Sequence, residues 1–168
     1  TYVDAFLEEK LEEKEMRRIG LTPWTPKMIE RTLCLTGGAV EATIHAAKHG
    51  GITGNMAGGT HHAHREFGSG YCIFNDLAIS AMYAIEHLGV KRVAILDLDV
   101  HQGDGTATIL SNENRTRTIS VHCSTNFPFR KSVSDFDLPI EPNSGDVAYM
   151  EKVQEAVNLC LEFEPDLV

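Results

Sequence analysis

The chain has 168 residues, with 15 Lys and Arg against 24 Asp and Glu, and its formal net charge at pH 7 is −9. This length predicts one domain, and 42% hydrophobic with 23% charged residues is a globular composition, not a disordered or fibrous one. The acidic balance disfavours nucleic acid and anionic membranes as partners, whereas a cationic substrate would meet a favourable field. No apolar run approaches the roughly 18 residues of a membrane span.

The cysteines are scattered along the chain without a CxxC pair, which is typical of a reducing compartment and not of a disulfide framework. They are Cys34, Cys72, Cys123 and Cys160. The first residues are strongly charged and do not resemble a signal peptide. We therefore expect an intracellular protein, cytoplasmic or nuclear.

Apolar spacing and helix-breaking residues predict five helices. The first is amphipathic, with glutamates interleaved among lysines and arginines, and we expect a solvated face there in preference to a partner-binding one. The second contains Gly37-Gly38, where we expect a kink or a break between two helices. The third begins at Asn75 or Asp76 as its cap and ends before Gly89. The five helices span residues 2–18, 27–49, 75–88, 106–110 and 146–163.

Short apolar segments between the helices predict strands. The run KRVAILDLDV is almost continuously apolar, which is typical of a strand covered on both faces. Further strands are predicted at residues 116–122 and from residue 165, and residues 52–57 are predicted to be extended. Strands that alternate with helices predict an α/β fold with a mostly parallel sheet. Ligands bind such sheets at the carboxyl ends of the strands, where two polar, histidine-rich loops are expected.

The segment DLDVHQGDG includes the end of the apolar run. Side chains alternate between the faces of a strand, so Asp97, Asp99 and His101 are predicted to project to one side. Two carboxylates and an imidazole are donors that suit Zn²⁺, Fe²⁺ or Mn²⁺. The alternative is that Asp99 and Asp104 cap the following helix while His101 is a hydrogen-bonded loop residue. We interpret the motif as a metal site.

Adjacent histidines follow a glycine pair in GGTHHAH. Imidazoles titrate near neutral pH, so His61 and His62 are candidates for metal ligands or for a general base and its partner; the alternative is an exposed polar loop. A carboxylate that accepts from a ring N–H fixes the tautomer of the histidine and raises its basicity. We expect Asp97 behind His61 and Asp104 behind His62. Two such pairs beside one metal would form a hydrolytic site.

Three motifs occur in order along the chain: GGTHHAH, SGYCIFND and DLDVHQGDG. Together they resemble the zinc-dependent histone deacetylase superfamily, which includes acetoin utilisation proteins and acetylpolyamine amidohydrolases. The resemblance implies the three-layer α/β/α fold of arginases and deacetylases, with a mostly parallel sheet. It also implies a hydrolase that uses Zn²⁺ or Fe²⁺ to remove an acetyl group from an amine. Gln102, in place of a second histidine, is similar to the bacterial and class IV-like branches.

The resemblance assigns a role to each polar side chain of these motifs. It implies that Asp99 and His101 are metal ligands and that His62 is the general base. His61 is implied as the electrostatic or acid partner of His62. The implied carboxylates behind the two histidines are Asp97 and Asp104.

The resemblance also implies a channel for the acylated side chain. Gly70 and Tyr71 match the segment that lines it, with Tyr71 where the family usually has Phe. Phe127 is expected to form the opposite wall, and core packing is the alternative for this residue. The implied substrates are proteins with acetylated lysine, acetylpolyamines and other acylated amines. An implied structural potassium site comprises Asp97, Asp99, His101 and Ser120.

The resemblance covers the middle of the family domain, so we expect a partial deacetylase fold truncated at both ends. The family's third metal ligand and its oxyanion-stabilising tyrosine follow the strand that begins near Pro165. Catalytic zinc usually has three protein ligands, so we expect this chain alone to bind Zn²⁺ weakly and to be inactive. Exposed strand edges favour homo-oligomers. The alternatives are a shortened form that acts through partners and an arginase-like ureohydrolase, which Gly103 disfavours at the place of a ligand.

Overall fold

The computed structural model describes residues 1–168 and contains a three-stranded parallel sheet between layers of helices. The helices are α1 (Tyr2–Leu7), α2 (Glu13–Ile19), α3 (Lys27–His49), α4 (Asp76–His87), α5 (Asp104–Leu110) and α6 (Asp146–Glu162). The strands are β1 (Val93–Asp97), β2 (Thr116–Cys123) and β3 (Phe136–Ile140). None of the helices combines the length and the hydropathy that crossing a membrane requires.

β1 places alternate side chains on the two faces of the sheet. Val93 and Ile95 pack with Ala81 of α4 in one apolar cluster, whereas Ala94 packs with Ala156 of α6 in another. Helices on both faces explain why the sequence of this strand is continuously apolar. The predicted α/β class, with three layers and a parallel sheet, is confirmed.

The sheet has the order β1-β2-β3, and every pairing is parallel. On the other side of β1, the N–H of Ala94 donates to the carbonyl of Leu167 at 2.9 Å, so the strand predicted from residue 165 is present as an isolated parallel bridge. The register places Asp97 beside Ser120. Because the strands are parallel, the loops that follow them meet at one edge of the sheet.

The single helix predicted for residues 2–18 is wrong, because the segment forms α1 and α2 with a break between them. Both helices begin with a capping box. Glu9, in the break, has a φ of 56°, which lies outside the right-handed helical region. The break allows Leu11 to join Phe6 in one buried cluster. Residues five positions apart do not share one face of a helix, so the apolar contacts require the chain to turn here.

α3 is a continuous helix of 23 residues, so the expectation that Gly37-Gly38 breaks it into two helices is wrong. Gly37 faces open space, and a Cβ on Gly38 would lie 3.3 Å from the side-chain nitrogen of Asn55. That nitrogen donates to the carbonyl of Leu35 at 2.8 Å and ties the next loop to α3. A glycine inside a helix costs about 1 kcal/mol, which the rest of this long helix tolerates.

β3 is a strand that the local sequence pattern did not predict. It contains Asp137 and Pro139, which are poor strand formers, and it lies at an edge of the three-stranded sheet. A proline lacks the N–H that a central strand needs, but an edge strand tolerates it. Residues 52–57, predicted as extended, pair with no strand, and Ile52 and Met56 are fully exposed.

Candidate active site

A cavity of about 640 Å³ opens at the carboxyl edge of the sheet. The loop between α3 and α4 and the segments after β1 and β2 form most of its wall. Asp97 and Asp104 are hydrogen-bonded to its two adjacent histidines from behind. The structure therefore brings the predicted catalytic, metal-binding and channel residues to one place. The predicted residues that line the cavity are His61, His62, Gly70, Tyr71, Asp99, His101 and Phe127.

The first histidine pair joins His61 to the last residue of β1, with Nδ1 at 2.5 Å from Asp97 Oδ2. A carboxylate only accepts, so Nδ1 carries the proton and Nε2 is left 4.0 Å from Asp99 Oδ1. Burial disfavours the charged ring, but the hydrogen bond and charge of Asp97 outweigh it and raise the pKa of His61. Gly103 makes the pair possible, because a Cβ there would collide with the Asp97 carboxylate.

The second pair joins His62 to the first residue of α5. His62 Nδ1 lies 2.7 Å from Asp104 Oδ1, so Nδ1 again carries the proton and Nε2 does not face the carboxylate. Burial would raise the pKa of Asp104, but hydrogen bonds from His62 and His64 lower it to about 2. The rings of His61 and His62 lie with their centroids 4.1 Å apart. Both pairings expected from the motifs are present, and each one fixes a tautomer.

Asp76, expected only as a helix cap, holds the loop that carries these histidines. It is 1% exposed, and its carboxylate accepts from the N–H of Gly59 at 2.9 Å and of Thr60 at 2.7 Å. It also accepts from the Thr60 hydroxyl at 2.6 Å. Asn75 alone caps α4, and its amide donates to the carbonyl of His61 at 3.3 Å. A helix needs only one capping residue. The presence of two polar residues at this helix start could therefore have indicated that one of them has another role.

Asp99 and His101 lie in the bend after β1. Because the strand ends at Asp97, the predicted strand alternation through His101 is wrong, although both side chains line the cavity. Asp99 Oδ1 lies 3.0 Å from His101 Nδ1 and accepts the His101 backbone N–H at 2.8 Å. Burial opposes ionisation of Asp99, but the hydrogen bond from that N–H and the charge of His61 outweigh it and lower the pKa of Asp99.

The chemistry of these two donors suits Zn²⁺ or Fe²⁺, which bind carboxylate oxygen and imidazole nitrogen. The side chains of Asp99 and His101 are 50% and 37% exposed, so an ion can reach both from solvent. However, no group of three or more His, Cys, Asp and Glu side chains is arranged to hold a metal ion. Asp99 and His101 therefore fit a metal as part of a ligand set.

Ser120, the remaining member of the predicted potassium group, lies beside Asp97 in the register of β1 and β2. It is 3% exposed, and its hydroxyl lies 3.0 Å from His122 Nδ1. Asp99 and His101 follow Asp97 closely along the chain. The four residues share one region, and their assignment to potassium stays a prediction.

Two aromatic residues, Tyr71 and Phe127, line the cavity together with the histidines. The Phe127 ring centroid lies 4.8 Å from that of His62, and the rings are nearly perpendicular at 84°. Tyr71 is 70% exposed, which excludes a core-packing role. Gly70 has a φ of 51°, and a Cβ there would lie 2.7 Å from His62 Cδ2 and 3.0 Å from Phe127 Cε1. Glycine at this position therefore lets the aromatic wall approach the histidine.

Two arginines at the end of α2 also line the cavity, and sequence reasoning did not place them there. Arg17 pairs with Glu13 at 3.3 Å, and the guanidinium carbon of Arg18 lies 4.6 Å from the ring centroid of Phe67. An alternating charge pattern on a helix does not distinguish a solvated face from the rim of a cavity. Only the path of the chain after α1 brings α2 to this position.

The fold and the site define the class of protein: an α/β domain with two carboxylate-paired histidines at the carboxyl edge of a parallel sheet. In a comparison with known protein families, the histone deacetylase domain matches residues 1–168. The chain belongs to the histone deacetylase domain family, and the resemblance drawn from the three motifs is confirmed.

The chain spans about half of the length, or less, of the following relatives. An uncharacterized protein of Picosynechococcus sp. is 44% identical over 169 residues, which cover 99% of this chain and 55% of that protein. Histone deacetylase 2 of Arabidopsis thaliana is 35% identical over 136 residues, covering 79% of this chain and 35% of the relative. The crystal structure of acetylpolyamine aminohydrolase from Burkholderia pseudomallei matches with a TM-score of 0.69 and 26% identity, covering 79% of this chain and 42% of that one.

Proposed function

We propose that the domain to which this chain belongs hydrolyses the amide bond of an acylated amine, so that water and R–NH–CO–CH₃ give the amine and acetate. The observation that carries the proposal is the pairing of His62 Nδ1 with Asp104 at 2.7 Å, in a ring that lines the cavity. A neutral imidazole with its other nitrogen free is a general base. His62 takes a proton from the attacking water at Nε2, and Asp104 stabilises the imidazolium that results.

His61 is the electrostatic or acid partner in this proposal. The hydrogen bond and the charge of Asp97 outweigh burial and raise the pKa of His61, so this ring holds a proton more readily than an isolated imidazole does. A protonated His61 stabilises negative charge that develops on the acyl oxygen and can give a proton to the leaving amine. With ring centroids 4.1 Å apart, the two histidines act on the same reacting group.

Asp99 and His101 would hold Zn²⁺ or Fe²⁺, and such an ion supplies Lewis-acid activation of the acyl carbonyl and of water. These two side chains belong to no group of three or more donors, so the ligand set within this chain is partial. We therefore propose that the 168-residue chain alone binds Zn²⁺ weakly and releases negligible acetate.

The proposed substrates are acetylated lysine side chains and acetylpolyamines. The names of the Arabidopsis and Burkholderia proteins support these two classes. The net charge of −9 attracts a cationic substrate over long range, and the aromatic wall of Tyr71 and Phe127 suits an alkyl chain. The cysteines are all free, which supports the proposed intracellular location.

A chimera tests the proposed reaction. This chain replaces the aligned 169 residues of the Picosynechococcus protein, so that the rest of that protein surrounds the candidate site. With Zn²⁺ added, we expect the chimera to release acetate from an acetyl-lysine peptide or from N-acetylputrescine. The 168-residue chain alone is expected to release almost none.

The base is tested by His62→Gln in the chimera, which should lower acetate release about 10²–10⁴-fold because the proton acceptor is lost. His87→Gln, on an exposed part of α4, is the matched control and should leave the rate unchanged. A folded but inactive chimera beside an active Picosynechococcus parent would contradict the proposal for this chain. Robust Zn²⁺-dependent acetate release by the chain alone would contradict the partial ligand set.

A further inference from the structure

Asp104 uses its two carboxylate oxygens on two different imidazoles. Oδ1 accepts from His62 Nδ1 at 2.7 Å, and Oδ2 lies 3.2 Å from His64 Nε2. Because a carboxylate only accepts, Nε2 of His64 carries the proton. The Asp104 and His64 side chains are only 10% and 14% exposed, so water has little access to this second contact.

The other histidine pair has the same arrangement with a different second donor. Asp97 Oδ2 holds His61, and its Oδ1 accepts the backbone N–H of Asp99 at 3.1 Å. In each pair, one oxygen therefore orients a cavity histidine while the other oxygen is held from outside the pair. A backbone amide does this for Asp97, whereas an imidazole does it for Asp104.

The ring of His64 is itself fixed by Phe67, which does not line the cavity. Its backbone N–H donates to the carbonyl of Phe67 at 2.9 Å, and its ring stacks on Phe67 with a centroid distance of 4.4 Å and an angle of 21°. The guanidinium of Arg18 lies over the same Phe67 ring at 4.6 Å. Phe67 thus sets the direction in which Nε2 of His64 points.

We propose that His64 is a positioning residue whose Nε2–H holds the Asp104 carboxylate in the orientation that keeps Oδ1 on His62. Without His64, Oδ2 would be buried without a partner, and the carboxylate would rotate toward another donor or toward water. The hydrogen bond that fixes the tautomer of His62 would then weaken. The expected effect on the rate rests on the proposed function, but the hydrogen bond is a property of the fold alone.

The direct test is the proton NMR signal of His62 Nδ1–H, which lies far downfield when the ring donates to a carboxylate and is identified by its absence in His62→Gln. His64→Phe keeps an aromatic ring on Phe67 and removes the donor, whereas His64→Gln keeps a donor amide. We expect the downfield signal to be lost in His64→Phe and retained in His64→Gln. His87→Phe is the control, because His87 also contacts an aromatic ring, with its centroid 4.8 Å from that of Tyr83.

In the chimera, His64→Phe should lower kcat about 10-fold or more with KM unchanged, as the loss of an outer hydrogen-bond partner of a site histidine does. His64→Gln should recover most of this loss. A downfield signal that persists in His64→Phe overturns the inference, whether or not the chimera hydrolyses substrate. Loss of the signal in both variants overturns the donor role. An inactive chimera with the signal lost in His64→Phe and kept in His64→Gln overturns the proposed function and supports the positioning role.

Phe67→Leu keeps the test decisive if His64→Phe does not fold. This variant leaves the Nε2 donor in place and removes the ring that directs it, so we expect the His62 signal to broaden. A sharp signal at the original position in Phe67→Leu would overturn the inference.

Discussion

Asp76 holds the loop that carries the site histidines, and the substitution Asp76→Ala measures how much this contributes to the free energy of unfolding. The substitution removes three hydrogen bonds, from the N–H of Gly59 and from the N–H and hydroxyl of Thr60. Hydrogen bonds to a charged group each contribute about 1.5 kcal/mol or more, and at 1% exposure little water can replace the carboxylate. We expect the free energy of unfolding to fall by about 4 kcal/mol, a large share of the 5–15 kcal/mol typical of a domain.

Asp146→Ala is the matched control for this prediction. Asp76 and Asp146 are each the first residue of a helix, but Asp146 is exposed. Its removal should cost only the interaction with the helix dipole, about 0.5 kcal/mol. Urea unfolding at pH 7, followed by circular dichroism, measures both variants, and the m-value should not change. If Asp76→Ala costs no more than Asp146→Ala, the carboxylate does not hold the loop and the reasoning is refuted.

Three further substitutions, one in α3 and two near the site, are tested by urea unfolding. Gly37→Ala should raise stability by about 0.5–1 kcal/mol, because Gly37 is helical and faces open space; a loss would contradict this. Gly105→Ala should cost about 2 kcal/mol or more, because its Cβ would lie 2.7 Å from the carbonyl carbon of Ala63; an unchanged midpoint would show that the backbone yields. The Asp104 carboxylate, with its pKa lowered to about 2, contributes about 2 kcal/mol that is fully present above pH ~4 and is lost as pH falls toward 2. Asp104→Asn should remove this acid-dependent step, and an identical step in the variant would assign it elsewhere.

Local sequence patterns are sufficient to predict an element of the fold where the pattern agrees with the packing of that element. β1 lies within the predicted apolar run, although it ends at Asp97, and α4 begins at the predicted cap Asn75. The prediction of a single first helix is wrong because the charge pattern continues without interruption through residues that form a turn. The burial of Leu11 requires that turn. β3 was not predicted because its Pro139 is tolerated only in a strand at the edge of a sheet. No local sequence pattern reveals which strand lies at that edge.

The same distinction holds within the site. The spacing of two carboxylates and two histidines on neighbouring loops is enough to predict Asp97 behind His61 and Asp104 behind His62. The second partner of Asp104 could not be predicted, because His64 reaches it only through the path of the loop and its stack on Phe67. His64 lies three residues after His61, and this spacing alone does not reveal where its side chain points.

The hydrogen bonds that orient the two cavity histidines join distant parts of the chain. His61 and Asp97 are 36 residues apart, and His62 and Asp104 are 42 residues apart. Closing a loop of this length costs conformational entropy before any contact compensates for it. Contacts between residues that are distant in the sequence therefore slow folding. The histidines acquire their tautomers only after β1 and α5 have docked against the loop that precedes α4. The downfield signal of His62 should therefore be among the last to recover during refolding, and it reports completion of the fold.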